Sequence, residues 1–98
     1  MRHITHVSET YNANAVQFVL TELDLGITFC QVGMTTRDPD HAARNAENAR
    51  EALDGVLHFK TRVELTAEER VTIADKLSVL QSLLKQLHRR VRSLAVNP

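Results

Sequence analysis

The chain is sparing with the residues that punctuate β-rich folds: two prolines and three glycines in 98 residues are too few turn formers for many short strands. Its single cysteine, Cys30, rules out a disulfide within the chain and fits a reducing compartment. No uninterrupted apolar run approaches the roughly 18 residues of a membrane-crossing helix. The opening MRHITHVSET has no apolar segment behind its arginine. Glycine-rich phosphate loops are absent. So is base between Arg2 and Arg37, a stretch that carries Glu9, Glu22 and Asp24. Acid is absent after Asp75, where Lys76, Lys85, Arg89, Arg90 and Arg92 follow. The net charge of zero therefore conceals two opposite poles. Such polarity suits contact with a polyanion, folding of the acidic segment onto the basic one, or head-to-tail pairing of two molecules. These absences lead us to expect one soluble, cytoplasmic domain with a real core and no membrane contact.

What the sequence does contain is helical periodicity with start signals. The last helix opens at TAEE, where Thr66 and Glu69 form a capping box, and is expected to run from about Ala67 to Leu94, stopping near Asn97 and Pro98. The middle helix opens at RDPD: Asp38 is a good N-cap, Pro39 suits the first helical position, and Asp40 favours the positive end of the dipole. It is expected over 39–61. The first helix has the least defined start, between Ser8 and Ala15, and is expected over about 13–35. The fold class that follows is all-α: a three-helix antiparallel bundle with a long C-terminal helix, completed by self-association.

Self-association is expected from the faces. At 100° per residue the middle helix collects Ala42, Ala46, Ala49, Leu53 and Val56 on one stripe, small enough for close approach of a neighbour. The first helix has two stripes about 200° apart. One holds Val16, Leu20, Leu23, Ile27, Cys30 and Met34; the other holds Phe18, Leu25, Phe29 and Val32, with Gly26 and Gly33 between them on one side. That is more apolar surface than two neighbours cover, so a fourth element is implied. The last helix has an unbroken seam, Ile73, Leu77, Leu80, Leu84, Leu87, Val91 and Leu94. As a parallel coiled coil it would face Lys76 with Gln81, Leu83 with His88 and Arg90 with Ala95, and no opposite-charge pair specifies that dimer. Its first half is therefore expected on its own chain. At about 42 Å against about 33 Å for the middle helix, its basic end should overhang from about Lys85, with Leu84, Leu87, Val91 and Leu94 awaiting a partner.

DLGITFCQVG resembles the first helix of a tetratricopeptide repeat, with Leu25, Gly26, Phe29 and Gly33 in the pattern's positions. Ala49, Leu53 and Val56 match the second helix loosely, although the stretch from Gly33 to Ala49 is roughly ten residues longer than a repeat's tight turn. The three-helix outline is also similar to the microtubule-interacting and trafficking domain. AREALDGVL followed by LTAEER looks like the texture of short bacterial proteins without assigned activity. The resemblance implies binding of a peptide or protein rather than catalysis.

Chemical candidates are few. His3 and His6 have a spacing that can ligate a metal but no carboxylate or cysteine companion nearby. Cys30 falls in an apolar stripe, where it acts as a small hydrophobe. His41, His58 and His88 form no relay, and Asp38 with Asp40 are better explained as helix-start residues than as paired acids. Lys85, Arg89, Arg90 and Arg92 form the one candidate polyanion contact, although bases also gather at helix C-termini to meet the dipole. We therefore expect no enzyme, cofactor or metal. The expected function is an interaction module that forms a homo-oligomer, a dimer above all, or binds another protein or peptide. Nucleic-acid binding by the basic helix is the alternative.

Overall fold

The computed structural model describes the backbone of residues 2–96 and the side chains of residues 9–96. Three helices follow one another: α1 (Arg2–Thr35), α2 (Pro39–Lys60) and α3 (Ala67–Val96), with no strand among the described residues. The all-α bundle expected from periodicity is the architecture found, a rod of 62 × 20 × 16 Å.

Both capped starts lie where the sequence puts them. The Asp38 carboxylate accepts from the Asp40 amide at 3.0 Å, with Pro39 in the first turn of α2. At α3, the Glu69 amide donates to Thr66 Oγ1 at 3.1 Å and the Thr66 amide donates to Glu69 Oε1 at 2.9 Å. The start of α1 differs from expectation: the helix begins at Arg2, not between Ser8 and Ala15. Residues 2–12 hold neither proline nor glycine, so nothing there stops propagation toward the N-terminus. Helix α3 continues to Val96; its expected stop at Asn97 and Pro98 lies outside the described residues.

Helix α2 runs antiparallel to both others, so α1 and α3 are parallel. Their register is nearly constant: Asn12 meets Glu64 and Asp24 meets Lys76 at an offset of 52, and Thr36 meets Arg90 at 54. This register corrects the expected overhang. Comparison of α3 with α2 alone put the overhang at Lys85, but α1 lies beside α3 as far as Arg90. Leu84 and Leu87, expected to await a partner, are 6% and 0% exposed within this chain's own core. Only the few residues after Val91, which still packs against the core, extend further. At the opposite end, residues 2–11 of α1 extend about 15 Å past the contact between Asn12 and Glu64.

The core is centred differently from the two-stripe reading of α1. Val16, Val19, Leu23, Gly26, Cys30 and Gly33 are buried, a three-and-four spacing that runs through both glycines. A Cβ built on Gly26 would lie 2.9 and 3.0 Å from the two Leu80 methyls and 3.3 Å from the Ala52 Cβ. One built on Gly33 would lie 2.8 and 2.9 Å from the Leu87 methyls and 3.1 Å from the Asn45 Cβ. The glycines are thus the notches into which α3 presses two leucines while α2 closes from the other side. They join the two stripes into one arc, and two neighbouring helices cover most of it.

The three glycines should respond oppositely to a methyl group. Gly26→Ala and Gly33→Ala overpack the junction, at about 1–3 kcal/mol, against a gain of about 1 kcal/mol in helix propensity. Gly55 has nothing within 4 Å of its missing Cβ, so Gly55→Ala should stabilise by about 0.5–1 kcal/mol. Urea denaturation of the three variants checks the ordering, with Gly33→Ala expected lowest because its contacts are shortest.

Candidate interaction face

The basic end of α3 divides on inspection. Arg90 was expected among the polyanion contacts, but its Nη2 donates to the Thr36 carbonyl at 2.7 Å, and the side chain is half-buried. Helix α1 has no base in its last turn, and Arg90 supplies from α3 the cation that the negative end of the α1 dipole favours. It is a clasp between helices, not a free base. Lys85, Arg89 and Arg92 are exposed, and their spacing puts them along one outward strip. Among the described residues the acidic pole of α1 pairs with the basic helix once, Asp24 with Lys76 at 2.5 Å. With both side chains more than a third exposed, that pair contributes little, well under about 1 kcal/mol.

The remaining chemical candidates take structural places. Cys30 is fully buried in the core, and burial pushes its thiol up from the ordinary value. A thiol raised in the folded state contributes stability below its unfolded pKa that is lost as pH rises through the folded one. His58 stands over Phe59 edge-on and its Nε2 meets Arg62 Nη1 at 3.0 Å; His41 is exposed at the start of α2. Asp38 and Asp40 are engaged in capping, as expected. No group of three or more His, Cys, Asp or Glu comes together among the described residues; the side chains of His3 and His6 lie outside them.

The apolar candidates are sorted by exposure. Phe18, Leu25 and Val32 remain 41%, 42% and 41% exposed, at positions seven apart that form a straight line along α1. Phe29 is half-buried against the core, so it serves both the fold and the surface. Val91 and Leu94 are half-buried near the C-terminal end of α3, with Val91 packed against the core. Beside the α1 line runs a shallow groove of about 400 Å³ between α1 and α2. Phe18, Leu25 and Phe29 form one wall, Ala52 and Gly55 lie opposite, and Glu22, Asn48 and Glu51 complete the lining. Phe18 closes its lower end edge-on against Phe59, with ring centroids 5.1 Å apart.

Two features of this region were not visible in the sequence reading. Asn12 pairs with the α2–α3 turn like a short piece of sheet: its Nδ2 donates to the Glu64 carbonyl at 2.8 Å and its Oδ1 accepts from the Glu64 amide at 2.6 Å. No local motif marks it, because its partner lies 52 residues away. Gly55, inside α2, is part of the groove's lining. Its signal was a glycine inside a helix with no turn or cap to need it.

The expectation that nothing here reaches membrane-span length also needs correction. Glu9–Thr35 is a helix long and apolar enough to cross a membrane by length and composition, with mean hydropathy 1.3. Scattered polar residues interrupt its apolar runs without lowering the average below that mark. In the bundle part of its apolar surface is the buried stripe that receives α3, while Phe18, Leu25 and Val32 remain about two-fifths exposed. No family model, curated protein or solved structure matches the chain.

The basic strip generates a test. Changing Lys85, Arg89 and Arg92 together to Gln should leave stability within about 0.5 kcal/mol, whereas Arg90→Ala should cost about 1–2 kcal/mol through the lost charged hydrogen bond. Titration with random-sequence DNA and RNA at physiological salt should give at most weak binding. A sub-micromolar, salt-dependent complex lost in the triple variant would establish the strip as a nucleic-acid contact.

Proposed function

We propose that this chain is a non-enzymatic helical interaction module, working in the cytoplasm, whose docking surface is the groove between α1 and α2. The observation that carries the reading is the line Phe18, Leu25 and Val32. Three large apolar residues at one azimuth are each about two-fifths exposed, and two of them, Phe18 and Leu25, border a groove that the bundle's own helices leave open. Single exposed apolar residues are ordinary on a protein surface, but an aligned row beside a groove marks a place for another helix. The likeness of the first two helices to repeat hairpins that bind peptides supports the same reading.

A second copy of the chain is the next reading, favoured by the symmetry of the row. A two-fold axis through Leu25 carries Phe18 toward the partner's Val32 and makes the contact isologous. Both readings make Leu25 dispensable for folding and central for association.

Leu25→Asp should therefore remain folded, with stability within about 1 kcal/mol of wild type, because the side chain is partly in water already. Leu23→Asp buries an unpaired charge where the wild-type residue is 0% exposed and should unfold the chain outright. Circular dichroism melts distinguish the two, and light scattering on wild type and Leu25→Asp reads any self-association. If Leu25→Asp unfolds as completely as Leu23→Asp, the row belongs to the core and the docking surface is lost.

A further inference from the structure

The charges around the groove say what kind of helix it takes. Glu22 on α1 and Glu51 on α2 line it from both sides, and no Lys, Arg or His does. Neither glutamate forms an ion pair among the described residues, where the Lys76–Asp24 pair stands alone. An apolar floor between two unpaired acids complements an amphipathic helix with large apolar residues on one face and bases on the flanks. A second copy of α1 fits less well: its own row is flanked by Glu22 again, so a symmetric pair would gather four glutamates around one seam with no base.

Gly55 provides the space. A glycine inside a helix costs about 1 kcal/mol relative to alanine, and neither packing nor a left-handed backbone requires one here. Gly26 and Gly33 are filled by leucines from α3; Gly55 lines the groove with open space within 4 Å of where its Cβ would lie. We infer that the α1/α2 groove docks a basic amphipathic helix of another protein, seating an apolar side chain over Gly55 and pairing its bases with Glu22 and Glu51. This rests on the docking reading above and adds the chemistry of the occupant.

The experiment uses the full chain and two synthetic peptides of about 18 residues, long enough to span the roughly 21 Å between Phe18 and Val32. One carries leucines at i, i+3, i+4 and i+7 with lysines elsewhere; its twin has glutamates for the lysines. Calorimetric titration should show the basic peptide bound at least about tenfold more tightly than the acidic one, the preference shrinking as salt rises. Leu25→Asp and the groove-filling Gly55→Leu should each weaken basic-peptide binding about tenfold or more while retaining the helical spectrum. Glu22→Lys with Glu51→Lys should invert the preference. Equal affinity for both peptides, still dependent on Leu25, would keep the groove as a docking site and overturn the charge rule. Basic-peptide binding indifferent to Leu25→Asp would place the contact elsewhere and overturn the inference. A wild-type dimer split by Leu25→Asp, with neither peptide competing, would make a second copy the occupant. A monomeric wild type that binds neither peptide would overturn the docking reading as well.

Discussion

Leu80 and Leu87 enter the two notches that Gly26 and Gly33 leave in α1, and the rest of the bundle depends on that fit. Both pairs are seven residues apart, two turns of helix, so the same register is enforced twice. Without side chains at these positions α1 can approach α3 closely, and the Ala52 and Asn45 side chains of α2 close on the same two points. Ala42, Ala46, Ala49 and Ala52 are buried for the same reason: a close-set bundle has room for small residues between its axes. Had the notches been filled, α1 would present two separate apolar stripes, and two neighbours would not cover them.

Once that register is set, the polar contacts between helices follow at its two ends. Asn12 pins the α2–α3 turn against α1, and Arg90 closes the other end by reaching the carbonyl that follows α1. Each joins residues more than fifty positions apart, and each meets backbone groups that no longer have a helical partner. The acidic N-terminal half and basic C-terminal half touch through Asp24 and Lys76, an exposed pair too weak to organise the fold. Charge polarity along the chain therefore records surface character more than it records stability.

The groove is what the same packing leaves over. The α1 arc turns one flank toward α3 and the other toward α2; Phe18 meets Phe59 of α2 at one end of the row, and Leu25 and Val32 stay about two-fifths exposed. Ala52 and Gly55 keep the α2 wall low, so the row remains accessible. A bundle optimised for its own stability would place a good helix former at position 55 and polar residues at 25 and 32. The chain departs from that pattern at neighbouring positions on two helices, and the proposal of a docking surface rests on that departure.

The sequence by itself determined what depends on neighbours a few residues away. The cap at Asp38, the capping box at Thr66 and Glu69, the buried stripe of α2 and the leucine seam of α3 are local patterns, and the helices obey them. Leu23 and Cys30 were legible as core from periodicity alone, and Leu25 as surface. Tertiary structure decided whatever depends on which face meets which neighbour. Gly26 and Gly33, marginal on a helical wheel, became the centre of the core because leucines on α3 were there to fill them. Leu84 and Leu87 moved from overhang to interior because the packed register brings both the end of α1 and the first half of α2 alongside them, with Gly33 and Asn45 meeting at Leu87. Arg90 looked like its neighbours Arg89 and Arg92 until the end of α1 was set beside it. A helix's own sequence gives the angle of each side chain around its axis, but the depth and axial position of the neighbouring helices arise only when all three are packed together.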